Sequence, residues 1–247
     1  MKSKIVFFTL ICFGIVSCSE DKKSPNFQII YSNSNQIKVE GAIENNNKIG
    51  QWNYYYLNGK TLKTLNYSEN LLVDSSKYFD STGVFWFSTQ WKIIQDTSIP
   101  LRFSIPNEFE TTLLSDSIIK LKSRTGDYVS IYLNQLQNGD NLKSYLLGSI
   151  EHLNSMFDSI KTDARIVNLE GGHSFGYNQY QIIIEDGLYY GTNIIGIVDD
   201  NFIDITLEYK TYHKEIELLF FDLIENLYFN KKQFMNPNDE FLNETKL

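Results

Sequence analysis

The chain of 247 residues is acidic, with a formal net charge of −8 and a pI near 5.0, and no Lys/Arg cluster exceeds a pair. This charge disfavours nucleic acid and anionic membrane surfaces as partners. A hydrophobic content of 42% and an aromatic content of 15% supply ample apolar material for folded cores. We therefore exclude intrinsic disorder except at the ends of the chain.

The first eighteen residues have the order of a secretory signal. Two lysines precede an apolar run over residues 5–16, and the small residue Ser17 stands directly before Cys18. The run fits a signal core, which needs roughly 7–15 apolar residues, and is shorter than the about 20 residues of a membrane-spanning helix. The pattern predicts a signal peptide over residues 1–17.

The end of this segment, Ile15-Val16-Ser17-Cys18, resembles the lipobox of bacterial lipoproteins. The resemblance implies cleavage before Cys18, acylation of this cysteine, and attachment to a membrane through the lipid. The alternatives are a plain cleaved signal with an incidental cysteine and a short uncleaved anchor. Because Cys12 lies inside the signal, a mature lipoprotein would keep no free thiol, which excludes disulfides and thiolate metal sites.

Residues 18–25 form a polar tether. The run Ser19-Glu20-Asp21-Lys22-Lys23 is similar to the surface-export signal of Bacteroidetes-type lipoproteins. This resemblance implies a protein that is lipid-anchored in the outer membrane and exposed at the cell surface. The alternative is a solvated linker, with the protein facing the periplasm.

Residues 26–91 contain a repeat of about 24 residues, in which an aromatic strand end is followed by a turn. The three copies are Tyr31-Ser32-Asn33-Ser34-Asn35, Tyr55-Tyr56-Leu57-Asn58-Gly59 and Phe79-Asp80-Ser81-Thr82-Gly83. Asn58-Gly59 predicts a two-residue hairpin turn, because both residues tolerate a positive φ. A second turn per repeat is predicted at residues 45–48 and 68–70. The region is expected to be a meander of short antiparallel strands.

The middle copy, residues 50–60, resembles the MORN-type repeat, especially the branch found in bacterial proteins labelled as antitoxin-like. The resemblance rests on Gly50, on Trp52 two residues later, on the aromatic run, and on the Asn58-Gly59-Lys60 turn. It implies a scaffold, with an immunity or antitoxin-like role as a narrower version.

Strand alternation places Trp52, Tyr54 and Tyr56 on one face of this copy. These three residues are the candidate binding residues, as an aromatic platform for a peptide or a glycan. The alternative is that this face packs against the neighbouring repeat, where aromatic cross-strand pairs stabilise a ribbon by about 0.2–1 kcal/mol each.

Residues 92–236 combine strands with two helices. Strands are predicted at residues 101–106, 117–122, 128–136, 165–169, 179–185, 188–198 and 202–209, and helices at 141–161 and 212–229. Asp140 or Asn141 can cap the first helix. In the last strand, polar and apolar residues alternate, which predicts one buried face; the two sets are Phe202, Asp204, Thr206 and Glu208 against Ile203, Ile205 and Leu207.

The order strands, helix, strands, helix predicts an antiparallel sheet with helices packed on it, an α+β fold. Phe103-Ser104-Ile105-Pro106 and Ile203-Asp204-Ile205-Thr206-Leu207 resemble segments of the PsbP-like α/β sandwich. The resemblance implies a binding or assembly role rather than chemistry. Residues 237–247 are expected to be a polar, frayed tail.

Gly172-His173-Ser174-Phe175-Gly176 matches the G-x-S-x-G elbow of serine hydrolases. A catalytic triad at Ser174 would require His213 and an aspartate. The alternative is a glycine-rich hairpin, because residues 177–185 alternate like a strand rather than carrying a helical stripe.

Metal sites find little support in the sequence. The acids Asp199, Asp200 and Asp204 raise the question of calcium, but they lack EF-hand spacing. The histidines His152, His173 and His213 are far apart without helical pairing, whereas zinc needs three or four convergent ligands. We predict no metal and no cofactor.

Together these observations predict a lipid-anchored protein with a β-meander of MORN-like repeats followed by an α/β sandwich. The leading functional hypothesis is a non-enzymatic binding or scaffolding module with a protein partner. The alternatives are a serine hydrolase using Ser174 and a glycan-binding protein using the repeat aromatics.

Overall fold

The computed structural model describes residues 26–31, 36–95, 100–115, 117–137, 139–157, 159–169, 172–184, 187–211, 214–235 and 241–247. The predicted signal peptide, the tether and Cys18 lie outside the described residues. None of the helices in the described ranges has both the length and the apolar character that crossing a membrane requires.

Within these ranges the chain forms eighteen strands and two helices, and the strand pairs are all antiparallel. This confirms the predicted α+β class. The strands are β1 (Asn26–Tyr31), β2 (Ile37–Glu44), β3 (Asn47–Tyr55), β4 (Thr61–Ser68), β5 (Leu71–Leu72), β6 (Asp74–Phe79), β7 (Phe85–Gln95), β8 (Leu101–Pro106), β9 (Phe109–Leu114), β10 (Ile118–Ser123), β11 (Tyr128–Gln135), β12 (Ile160–Leu169), β13 (Ser174–Ile184), β14 (Gly187–Val198), β15 (Asn201–Tyr209), β16 (Tyr228–Phe229), β17 (Lys232–Gln233) and β18 (Phe241–Lys246). The helices are α1 (Leu142–Met156) and α2 (Lys214–Glu225).

The first sheet, sheet A, follows chain order through β1, β2, β3, β4, β6 and β7 and continues through β8 and β16 to β17, with β5 beside β4. Tight turns with two positive φ values recur at Asn45-Asn46 and Glu69-Asn70, as the repeat predicts. The predicted two-residue turn at Asn58-Gly59 is wrong in its length. Tyr56 N–H donates to the Lys60 carbonyl at 2.8 Å, so the turn encloses three residues, of which Gly59 alone has a positive φ.

The second sheet, sheet B, has the order β18-β12-β13-β14-β15-β11-β10-β9. One of its faces carries α1, anchored by Leu146 among Ala164, Ile195 and Phe202. The other face packs against β8 and α2, through the residues Ile203, Ile205 and Leu207 that the alternation predicts to be buried.

Helix α2 contacts the cores of both sheets. Phe220, Leu223 and Ile224 pack in the core of sheet B and β8, whereas Leu219 belongs to the cluster formed by Trp52, Leu65 and Trp91 of sheet A. The helix is amphipathic, but it buries more than one face because it lies against two sheets.

Several element boundaries differ from the predicted ones, because strand pairing competes with helical periodicity. Helix α1 ends at Met156 instead of residue 161, since Ile160 pairs with Ile182 in β13. Helix α2 ends at Glu225, and Tyr228 pairs with Arg102 of β8. The tail is not frayed over its last residues, because β18 pairs with β12.

The predicted division between residues 91 and 92 falls within β7. This strand pairs with β6 on one side and with β8 on the other, where Trp91 lies opposite Pro106 and Gln95 opposite Arg102. Sheet A is therefore continuous across that point of the sequence.

Candidate functional site

A row of polar side chains crosses the face of sheet B that carries α1. In-register pairing brings together residues that are far apart in sequence: Asn178 of β13 pairs with Asn193 of β14, Asn193 with Thr206 of β15, and Thr206 with Ser130 of β11. Because neighbouring strands lie about 4.8 Å apart, side chains on the same face of paired residues can hydrogen-bond directly. The row therefore forms a polar floor beneath the helix.

Asp204 is the acidic centre of this floor. Its side chain is 9% exposed, and its Oδ1 accepts hydrogen bonds from the Asn193 amide and, at 3.3 Å, from the Thr206 hydroxyl. Burial raises the pKa of the Asp204 carboxyl to about 6, and these two hydrogen bonds offset only part of that effect. The Asn193 amide also donates to Thr206 Oγ1 at 2.9 Å, and its own carbonyl oxygen is buried without a hydrogen-bond partner.

Tyr180 and Glu208 form the next step along the floor. The Tyr180 hydroxyl donates to Glu208 Oε1 at 3.2 Å, and burial together with this carboxylate raises the pKa of Tyr180 above its usual range. Tyr180 reaches Glu208 across Gly191, where an added Cβ would come within 2.0 Å of the tyrosine ring. Gly191 is therefore required for the ring to lie flat over β14.

Helix α1 supplies the opposite wall. The Asn141 side chain caps the helix by accepting from Ser144 N–H at 3.0 Å, while Ser144 Oγ accepts from Asn141 N–H at 3.1 Å. The Tyr145 ring stacks on Phe202 with centroids 4.1 Å apart, and its hydroxyl accepts from the Asn134 amide at 2.6 Å. These contacts hold the helix at a fixed position over the sheet.

Between helix and sheet lies a cavity of about 540 Å³, which we call the α1 cleft. Its lining includes two carboxylates and neither lysine nor arginine. The residues that line it are Ser130, Tyr132, Asn134, Tyr145, Gly148, Ser149, His152, Leu153, Met156, Tyr180, Asn193, Asp204, Thr206 and Glu208. A preformed concavity with convergent polar groups and a perturbed acid is the usual setting of a ligand site.

A second, smaller cavity of about 320 Å³ lies where sheet A meets the end of α2. Lys48 lines it, with its ammonium near the rings of Trp52, Tyr54 and Tyr67 and donating to the Tyr54 hydroxyl at 3.1 Å. Burial lowers the pKa of Lys48 to about 8. Glu225 lines the same cavity, so its charge opposes that of Lys48.

The predicted binding residues of the repeat region lie largely inside sheet A. Trp52 has no exposed surface, donates to the Ala42 carbonyl at 3.1 Å, and fills the space above Gly41. Tyr54 is hydrogen-bonded to Tyr67 at 2.9 Å, and Tyr56 donates to the Phe79 carbonyl at 2.9 Å. Trp52 is thus closed to a ligand in this conformation, whereas Tyr54 and Tyr56 are half-buried and stay predicted binding residues.

Ser174 lies at the start of β13 in a hairpin with β12, so the nucleophile-elbow interpretation is wrong. The Leu169 N–H donates to the His173 carbonyl at 2.9 Å, and Ser174 Oγ donates to Asn168 Oδ1 at 2.6 Å. An elbow requires a strand followed by a helix, whereas Ser174 opens an eleven-residue strand. His213 lies outside the described residues.

The acids considered for calcium are separated in the structure. Asp199 pairs with Lys232, whereas Asp204 belongs to the floor of the α1 cleft. Over the described ranges, no three His, Cys, Asp or Glu residues are grouped so that they could hold a metal ion.

The alternation of β15 predicts one buried face and, by itself, no role for the polar half of the strand. Two features of the sequence could have indicated the cleft. One is the polar stripe of β15, which consists of Asp204, Thr206 and Glu208, and the other is the small residue Gly148 in helix α1. The partners of the stripe on β11, β13 and β14 follow from strand register, which the sequence does not state.

No family model matches the chain, and no curated protein matches it. Among solved structures, it is similar to the solution structure of the cyanobacterial PsbP protein, CyanoP, from Synechocystis, with 11% identity, 56% of this chain and 92% of that chain covered, and a TM-score of 0.45. It is also similar to the Ran-binding protein Mog1p of Saccharomyces cerevisiae, with 11% identity, coverage of 57% and 96%, and a TM-score of 0.44. At these identities, both are similarities of fold alone.

Proposed function

We propose that this chain is a non-enzymatic binding protein of the cell envelope, lipid-anchored in the outer membrane through Cys18, with a protein as its partner. The α1 cleft is its ligand site. The observation that supports this proposal is the preformed cleft itself, in which Asp204 is held under α1 by Asn193 and Thr206 at the cost of a raised pKa. A buried acid without a neutralising cation destabilises a fold, so a role in binding gives a reason for its presence.

The anchor is tested by labelling cells with a clickable palmitate and comparing wild type with Cys18→Ala. We expect the label to be lost in the variant. Protease treatment of intact cells then distinguishes the two faces of the membrane, because a surface protein is digested and a periplasmic one is protected. Equal label in the two proteins would contradict lipidation at Cys18.

The ligand site is tested by photo-crosslinking in living cells. A photoreactive amino acid at Met156, which is 52% exposed at the cleft, is expected to give an adduct of defined mass with one partner. The matched control is the same amino acid at Leu57, which is 76% exposed on the turn between β3 and β4. Adducts that are the same from both positions, or absent from Met156, would contradict a partner at the cleft.

A further inference from the structure

We infer that the α1 cleft binds an elongated organic cation that carries two alkylammonium groups, one at Asp204 and one at Glu208. The inference rests on the proposed function, since it names the chemistry that the ligand site accepts. It is carried by the charge of the lining, the spacing of the two acids, and the aromatic side chains around them.

The carboxylates in the lining of the cleft both come from β15. Asp204 and Glu208 project from β15, and the titratable groups that line the cleft from β11, β13 and α1 are tyrosines and His152. No lysine or arginine lies in the lining, and no cation offsets the burial of Asp204. The unpartnered carbonyl oxygen of Asn193, which is itself 3% exposed, adds a further negative dipole beside Asp204.

The spacing of the acids excludes a single metal ion as the shared ligand. Asp204 and Glu208 are four residues apart on one strand, which places their backbones about 13 Å from each other at roughly 3.3 Å per residue. Calcium requires six to eight oxygen ligands at about 2.3–2.6 Å, so two carboxylates at this spacing cannot ligate one ion together. A flexible chain with a positive charge at each end can reach both.

The remaining lining residues suit the alkyl chain and the ammonium groups of such a ligand. Tyr132, Tyr145 and Tyr180 line the cleft, and aromatic rings attract ammonium groups within about 6 Å of the ring centroid. Leu153 and Met156 of α1 offer apolar contacts for methylene groups. A cavity of about 540 Å³ is large enough for a chain of this kind.

Two sources share this chemistry: a free diamine, and lysine side chains presented by the protein partner. The experiment is titration calorimetry of the purified protein with diaminooctane, octylamine and octanediol, followed by a blocked lysyl-glycyl-lysine peptide. We expect diaminooctane to bind about tenfold more tightly than octylamine, because each charge-assisted contact contributes about one factor of ten, and octanediol not to bind. Tighter binding of the diamine than of the peptide identifies a free amine as the ligand and contradicts a protein partner at the cleft. The reverse order identifies lysine side chains of the partner.

The variants Asp204→Asn and Glu208→Gln remove one charge each while keeping the side-chain shape. Each is expected to weaken diaminooctane about tenfold, to the level of octylamine. The matched control is Asp200→Asn on the exposed β14–β15 turn, where asparagine tolerates the positive φ of 59°. The inference is overturned if octanediol binds as well as diaminooctane, or if Asp200→Asn weakens binding as much as Asp204→Asn. If Met156 gives an adduct in cells but the purified protein binds no amine, the proposed function stands and only the inferred class of ligand is wrong.

Discussion

At the scale of single residues, the environment of Asp204 disfavours its charged form. Burial raises its pKa to about 6, from about 3.8 in an unfolded chain. The folded protein therefore binds this proton more tightly than the unfolded chain does. The stabilisation that follows is complete below about pH 4 and is lost as the pH rises through about 6.

The variant Asp204→Asn is accordingly expected to be more stable than wild type at pH 7 by about 2 kcal/mol. A pKa shift of about two units corresponds to about 2.7 kcal/mol, and the buried amide retains some of the desolvation cost. Near pH 4 the two proteins are expected to have nearly equal stability. Urea unfolding at both pH values measures the difference, with Asp200→Asn as the exposed control. A variant that is less stable than wild type at pH 7 would show that the carboxylate has a structural role instead.

At the scale of elements, two glycines at or beside the α1 cleft have opposite surroundings. An added Cβ at Gly191 would lie 2.0 Å from the Tyr180 ring, whereas one at Gly148 in α1 meets nothing within 4 Å. Gly191→Ala is expected to destabilise the protein by about 1–3 kcal/mol through overpacking. Gly148→Ala is expected to stabilise it by about 0.5–1 kcal/mol, because alanine favours the helix. Thermal unfolding of the pair distinguishes the two effects, and equal losses would contradict the placement of Tyr180 over Gly191.

Local signals in the sequence predicted most of these elements and few of their partners. Some elements depend only on neighbouring residues and can therefore be predicted from the sequence. Examples are the turns at Asn45-Asn46 and Glu69-Asn70 and the helix cap at Asn141. The two-residue strand β16 and the late strand β18 arise from pairing with β8 and β12, which are far away in sequence. The polar floor of the cleft also depends on pairing between distant segments, because it requires the correct register of four strands.

At the scale of the whole molecule, α2 connects the two sheets through a buried ion pair. Lys63 of β4 contacts Asp222, which has no exposed surface and also accepts from the Tyr78 hydroxyl of β6. Burial alone would lower the pKa of Lys63, but the carboxylates of Asp222 and Glu225 outweigh it and hold this pKa above its usual range. Burial raises the pKa of Asp222, and the Lys63 ammonium and the Tyr78 hydroxyl oppose this effect, so the charge of each partner depends on the other.

Removing one partner leaves a buried charge without compensation. Lys63→Met is expected to destabilise the protein by about 3–5 kcal/mol, and Asp222→Asn in the same chain is expected to recover part of the loss. The matched control is Lys246→Met, because Lys246 pairs with Asp163 at 3.3 Å with a side chain that is 76% exposed, and such pairs contribute about 0–1 kcal/mol. Urea unfolding is followed by tryptophan fluorescence, which reports on Trp52, Trp86 and Trp91 in sheet A. Far-UV circular dichroism, which reports on all strands, is recorded alongside.

Because Leu219 packs with sheet A while Phe220 and Leu223 pack with sheet B, the two transitions are expected to coincide in wild type and to move together in Lys63→Met. A fluorescence transition that moves alone would show that sheet A unfolds as a separate unit. In that case the contacts of α2 would not couple the two sheets, and sheet A would be an independent folding unit.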